Sequence, residues 1–208
     1  MTLAVDVISD VICPWCYIGK KRLEKAIAAF DDKQQVRVHW LPYQLNPAMP
    51  KEGFSRKEYR IRKFGSWERS LELDAKVVGV GETEGIHFAF DRIERTPNTM
   101  DAHRLIWLAD QQGCQDAVVD ALFRAYFTEG RDISNRHTLI DVVNEAGLER
   151  QLAEAILNSE EGMDAIKEAE RHRVDGVPFF IIKNEITLTG AQQPDAFLDA
   201  FGAAIGSE

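Results

Sequence analysis

The chain lacks the features that mark several protein classes. Only three cysteines occur in 208 residues, which is not the dense framework that staples a small secreted domain. No apolar run approaches the ~18 residues of a membrane-spanning helix. The first residues, Met1-Thr2-Leu3-Ala4-Val5-Asp6-Val7, lack a basic segment, an apolar stretch of secretory length and a small-residue cleavage site. A cytoplasmic location is therefore expected. Positive charge is in deficit, with 25 Lys and Arg against 34 Asp and Glu and a net charge of -9. Such a balance argues against nucleic acid and against an anionic membrane surface as partners. Internal repeats and low-complexity segments are absent as well, so the chain reads as an ordinary globular protein.

What is present suffices for a large core. With 45% hydrophobic residues, the chain can bury one core, or a core and an inserted subdomain, without a metal or disulfide staple. Leu3 to Ser9 alternates apolar and polar positions and is rich in valine and isoleucine, a strand pattern. From Tyr17, the residues Leu23, Ala26, Ile27 and Phe30 recur at helical spacing with lysine, arginine and glutamate between them, which predicts an amphipathic helix to about Asp31. Val36 to Tyr43 reads as a second strand.

Beyond Asn46-Pro47 the pattern turns helical and no strand is expected for over a hundred residues. Ser55-Arg56-Lys57-Glu58 is a capping-box pattern, and Leu71, Ala75 and Val78 mark the apolar face of a further helix. Ala102, Leu105, Ile106 and Ala109 follow Pro97 at the same spacing, ending at Gly113. Val118, Leu122 and Ala125 mark the next helix, Leu139, Val142, Val143 and Ala146 another, and shorter ones fall near Leu152 to Ile156 and Ile166 to Ala169. Strands return at Phe179 to Ile182 and Ile186 to Thr189, joined by Lys183-Asn184-Glu185 as a hairpin, and Pro194 opens a last helix carrying Phe197, Leu198, Phe201 and Ile205. The fold class expected is α/β, a thioredoxin-like fold with a large all-helical insertion between its second and third strands. Residues 1–46 and 174–208 would form the thioredoxin-like domain and residues 47–173 the insert.

The chemistry concentrates at Cys13-Pro14-Trp15-Cys16, immediately after the first strand. A free cysteine, with a pKa near ~8.5, is mostly protonated at neutral pH, and disulfide exchange requires the thiolate. If the helix starts at Pro14, Cys13 occupies its N-cap, where unpaired amides and the positive end of the helix dipole favour an anion. Proline suits the first helical position because its missing N–H would be unpaired anyway. Cys16, one turn on, can close a disulfide with Cys13 but sits deeper. Cys13 is therefore assigned as the attacking thiol and Cys16 as the resolving one. A structural zinc site would need further ligands, and His39, His87, His103, His137 and His172 are scattered without ligand spacing. Two buried cysteines without chemistry are the other plain reading.

Gly176-Val177-Pro178 strengthens the redox reading. Proline entering a central strand forfeits a ladder hydrogen bond. A cis Val177-Pro178 bond facing the cysteines, with the Val177 backbone open to an extended substrate, would accommodate it; an ordinary trans proline in a loop is the alternative. Ser9 to Gly19, Leu122-Phe123-Arg124-Ala125-Tyr126-Phe127, Gly176 to Phe180 and Gly190-Ala191-Gln192 together resemble the FrnE-like branch of the DsbA family. That resemblance implies dithiol–disulfide exchange on protein, peptide or small-molecule disulfides, with glutathione among the candidate partners and no bound metal or organic cofactor. Cys13 and Cys16 would be the redox pair, and Pro14, Trp15, Val177 and Pro178 the substrate contacts. The sequence departs from relatives at Arg173, where glycine is frequent, and at Trp15, where periplasmic members carry histidine, so a strongly oxidising role is not carried over.

Asp10, three residues before Cys13, is a candidate proton relay to Cys16 or else a carboxylate that caps the turn. Cys114, alone after Gly113, reads as structural, with an intermolecular disulfide as the alternative. Trp67, Trp107, Phe123, Tyr126 and Phe127 either line a groove between the two parts or belong to the core. Two other functions remain in view. Glutathione-dependent transferases and isomerases of the kappa and chromene-carboxylate types generally carry serine at the Cys13 position and lack the second thiol. A non-catalytic peptide-binding module would survive loss of both cysteines.

Overall fold

A computed structural model describes residues 2–30, 35–170 and 174–206. The expected end of the first helix at Asp31, the departure at Arg173 and the side chain of His172 fall outside the described residues. In chain order the elements are β1 (Thr2–Ser9), α1 (Pro14–Ala29), β2 (Gln35–Pro42), β3 (Phe54–Ser55), α2 (Arg56–Phe64), α3 (Trp67–Thr83), β4 (Arg95–Thr96), α4 (Met100–Gln111), α5 (Gln115–Phe127), α6 (Arg136–Glu145), α7 (Arg150–Leu157), α8 (Met163–Ala169), β5 (Phe179–Ile182), β6 (Ile186–Thr189) and α9 (Pro194–Gly206).

Four strands form one sheet in the order β2-β1-β5-β6. β1 runs parallel to β2, with Val5 opposite Val38 and Val7 opposite Trp40. It runs antiparallel to β5, with Val7 opposite Phe180. The parallel step requires a crossover, and α1 provides it. The β5–β6 hairpin turns through Lys183 and Asn184, both at positive φ (51° and 58°), the conformation that matches the twist of paired strands. On the outer edge of β2, the Gln115 side chain accepts from the Trp40 amide at 2.9 Å and donates to its carbonyl at 3.0 Å. This one side chain supplies what a further strand would have supplied and blunts the edge. The thioredoxin-like arrangement and its helical insertion are as the hydrophobic spacing predicts.

Three differences from that expectation have physical causes. The insertion is helical except for a two-residue antiparallel ribbon in which Phe54 pairs with Thr96 and Ser55 with Arg95; two residues per strand are too few to print a period of two. α1 is packed on both sides, so Lys20 and Arg22 are 1% and 7% exposed instead of facing water. Lys20 pairs with Glu24 and with Asp116 at 3.1 Å, and Arg22 with Glu84 at 2.6 Å, so neither buried charge lacks a counter-ion. α3 turns inward with Ser70, Asp74, Val77 and Gly81, leaving Leu71 49% exposed. Its buried face is polar because Arg56 and Arg60 of α2 meet Asp74 there.

Phe123, Tyr126 and Phe127 lie in the core, and Tyr17 of α1 stacks on Phe123 with centroids 5.0 Å apart. Phe180 of β5 meets Phe197 of α9 edge-on at 4.8 Å. The first contact holds the helix that carries both thiols, and the second ties the sheet to α9, which itself packs on that helix. Trp67 and Trp107 are only partly buried.

Candidate active site

The two thiols stand where β1 ends and α1 begins. The Cys13 amide donates to the Asp10 carbonyl at 3.0 Å, forming a tight turn, and the Cys16 amide donates to the Cys13 carbonyl at 3.0 Å. Cys13 is the extended N-cap of α1, with Pro14 in the first helical position, where its fixed φ and missing N–H suit the helix start. Trp15 is 40% exposed and projects beside the pair, while Cys13 and Cys16 are 5% and 1% exposed. Both are free thiols.

At this N-cap the Cys13 side chain accepts no hydrogen bond from the helix amides. Its Sγ donates instead to the Val177 carbonyl at 3.7 Å. The Val177–Pro178 peptide is cis, and Pro178 is buried against α1. The sequence reading did not assign the residue that permits this approach: Gly19 meets the Pro178 ring, and a β-carbon there would lie 3.0 Å from Pro178 Cγ and 3.1 Å from Phe180 Cζ. Spacing offers no sign of it, because the contact joins residues far apart in the chain.

Burial pushes the Cys16 thiol well up from its ordinary value, and the adjoining Cys13, hydrogen-bonded to it, acts in the same direction. The Ser9 hydroxyl and the Asp10 backbone amide oppose this to a smaller degree. The half-buried Cys114 is also pushed up by burial; it caps α5 at the α4–α5 junction.

Asp10 is fully buried. Its Oδ2 accepts from the Leu45 amide at 2.8 Å, which ties the segment after β2 to the cysteine turn. Its Oδ1 makes no hydrogen bond. His103 of α4 brings Nε2 to 3.4 Å from that oxygen and to 3.1 Å from the Tyr43 carbonyl. His103 was not singled out by spacing. The one available hint is its place among Ala102, Leu105 and Ile106, on a helix whose buried residues are otherwise apolar except for Arg104. Among the described residues no three His, Cys, Asp or Glu side chains converge as metal ligands, and no helix is long and apolar enough to cross a membrane.

A cleft of about 310 Å³ opens in front of Cys13, Pro14 and Trp15, with its far wall supplied by α2 and α3. Tyr126 and Phe127 of the predicted aromatic set reach it.

A sheet ordered in this way, with a C-x-x-C pair opening α1 and a cis-proline against it, has a counterpart in sequence: the DSBA-like thioredoxin domain matches residues 4–202. The chain belongs to that family. A probable DsbA oxidoreductase from Streptomyces coelicolor is similar over 99% of this DSBA-like chain and 91% of its own, at 30% identity and a TM-score of 0.91. The uncharacterized protein YwbO of Bacillus subtilis is 26% identical over 202 residues, 95% of this chain and 94% of its own length. The cytosolic disulfide reductase DsbM of Pseudomonas aeruginosa, at 19% identity and a TM-score of 0.68, covers 99% of the DSBA-like chain with 100% of its own and shares the fold.

Proposed function

We propose that the chain is a thiol–disulfide oxidoreductase or isomerase of the FrnE-like branch, acting in the cytoplasm through Cys13 and Cys16 on disulfide-containing proteins, peptides or small molecules, glutathione among them. The observation that carries the reading is the Cys13 sulfur. It sits at a helix N-terminus in contact with a second thiol, and it faces the carbonyl that precedes a cis-proline.

In the reducing direction, the Cys13 thiolate attacks one sulfur of a substrate disulfide. A Cys13–substrate bond forms, the substrate S–S bond breaks, and the leaving thiolate takes up a proton. Loss of the Cys13 proton also frees the Val177 carbonyl to accept from a substrate N–H, and Pro14, Trp15 and Pro178 shape that contact. Cys16 then gives up its proton and attacks the Cys13 sulfur, expelling the second substrate thiolate and closing the Cys13–Cys16 bond. The Cys16 proton needs an acceptor, and buried Asp10, whose backbone amide already contacts this sulfur, is the carboxylate on the same turn. In the oxidising direction the same steps run backward, and an external thiol or disulfide couple resets the pair.

The test is exchange with a glutathione couple, combined with insulin reduction and refolding of scrambled ribonuclease. A single two-electron transition should appear in the first assay, with activity in one of the others that Cys13→Ser abolishes. Cys16→Ser should retain Cys13 and accumulate mixed disulfides. A protein that forms no Cys13–Cys16 bridge, and keeps its activity when both thiols are replaced, would return the assignment to a binding module. A protein active only as a glutathione conjugase would return it to the transferase or isomerase class.

A further inference from the structure

The cleft in front of Cys13 differs in charge from the molecule that carries it. The chain has a net charge of -9, yet the charged residues lining this cleft are Arg56, Arg60, Lys63 and Lys76 against Asp74 alone. Asp74 is already engaged. One oxygen takes Arg56 at 2.6 Å and the other takes Arg60, so two guanidinium groups share one carboxylate. Arg60 titrates lower than an ordinary arginine, mainly through burial, with repulsion from Arg56 adding to it. Among the described residues, Lys63 reaches the Tyr59 hydroxyl, at 3.0 Å, and aromatic faces, with no ion-pair partner. Lys76 has no ion-pair partner among the described residues. The surplus positive charge therefore points into a space whose remaining walls include Leu73, Val77, Ile93 and Phe127. A cationic rim around low-dielectric walls focuses field on whatever enters, and about 310 Å³ is at the small-molecule end of ligand sites.

We infer that this cleft binds a small organic disulfide bearing a carboxylate on an apolar or aromatic body, the acid held by Lys63, Lys76 and the Arg56–Arg60 pair while the disulfide sulfur meets Cys13. The inference rests on the disulfide-exchange reading and names the substrate class for that site. Cys13 attacks the nearer sulfur, the carboxylate-bearing thiolate departs with a proton, and Cys16 releases the other half as a second thiol. The substrate is reduced by two electrons as Cys13 and Cys16 are oxidised to a disulfide.

The probes are two aromatic disulfides, the dianionic dithiobis-nitrobenzoate and the neutral dithiodipyridine. Each is mixed with the fully reduced protein, and formation of the Cys13–Cys16 bridge is followed. The readout is the ratio of the two second-order rate constants, which removes any general effect on thiol reactivity. In Lys63→Gln with Lys76→Gln, two exposed positions, this ratio should fall about tenfold relative to the unaltered chain, within the range of electrostatic steering. In the unaltered chain it should fall steeply as salt is raised. A ratio that does not change with the substitutions or with salt overturns the substrate class and leaves disulfide exchange standing. If neither probe closes the bridge, the disulfide-exchange reading fails, and the substrate class fails with it.

Discussion

Gly19 and Pro178 are in direct contact across the site, so close that a β-carbon on Gly19 would stand 3.0 Å from the proline ring. That contact sets how near α1 can lie to the carbonyl that Cys13 faces. Gly19→Ala gains up to ~1 kcal/mol of helix propensity but overpacks a tight junction at a cost of about 1–3 kcal/mol. A net loss of up to about 2 kcal/mol is expected in urea denaturation, with a slower exchange rate at Cys13. A more stable variant with unaltered exchange would show that the junction has room.

The raised Cys16 thiol makes the reduced protein sensitive to alkali. As pH climbs past the ordinary thiol value, the unfolded chain loses its Cys16 proton first, while the folded chain keeps it. The folded state then binds more protons than the unfolded one, so stability falls with rising pH. This contribution is complete below the ordinary value and is lost as pH rises through the folded one. Thermal unfolding of reduced protein and reduced Cys16→Ala, compared from neutral pH to above 9, should show the parent losing more stability than the variant. Parallel pH profiles would contradict the assignment.

Asp10 serves two ends of one turn, and two substitutions separate them. Asp10→Ala strands the partly buried Leu45 amide, which costs up to about 3 kcal/mol. Asp10→Asn keeps an acceptor for that amide and should cost less. Both remove the carboxylate, so both should slow the release of mixed disulfides by Cys16, most visibly at low pH. Equal release rates in Asp10→Asn and the parent would restrict Asp10 to holding the turn.

Asp74 is the lone carboxylate between two guanidinium groups of α2. Asp74→Asn leaves both without a counter-ion in a largely buried setting, and about 3 kcal/mol or more of stability should be lost. The urea midpoint reads this loss. Provided the fold persists, the same substitution adds positive charge to the cleft and should raise the preference for the dianionic over the neutral disulfide. A variant as stable as the parent would mean that solvent already screens the cluster.

The strands, the long helices and the position of the thiol pair were legible in the sequence because each is local. Alternation at a period of two, apolar residues at helical spacing, proline at a helix start and asparagine in a hairpin turn act within a few residues of one another. The two-residue ribbon at Phe54 and Arg95 was not legible, since it is shorter than the period that would reveal it. The inner face of α3 was misread for a related reason. Apolar spacing pointed to Leu71, whereas the helix buries Asp74 because Arg56 and Arg60 on another element neutralise it.

Chain order alone determined that this protein has a thioredoxin-like frame with a helical insertion, and that Cys13 and Cys16 open its first helix one turn apart. Tertiary structure decided the surroundings of those sulfurs: the Val177 carbonyl against Cys13, Gly19 under Pro178, His103 beside Asp10, and four cations around the space in front. Apart from Gly19, whose own partner Pro178 is distant, these residues lie tens of positions or more from the thiols, and hydrophobic spacing carries no information over such distances. Only folding, which lets burial and charge pairing choose among all such encounters at once, brings them together.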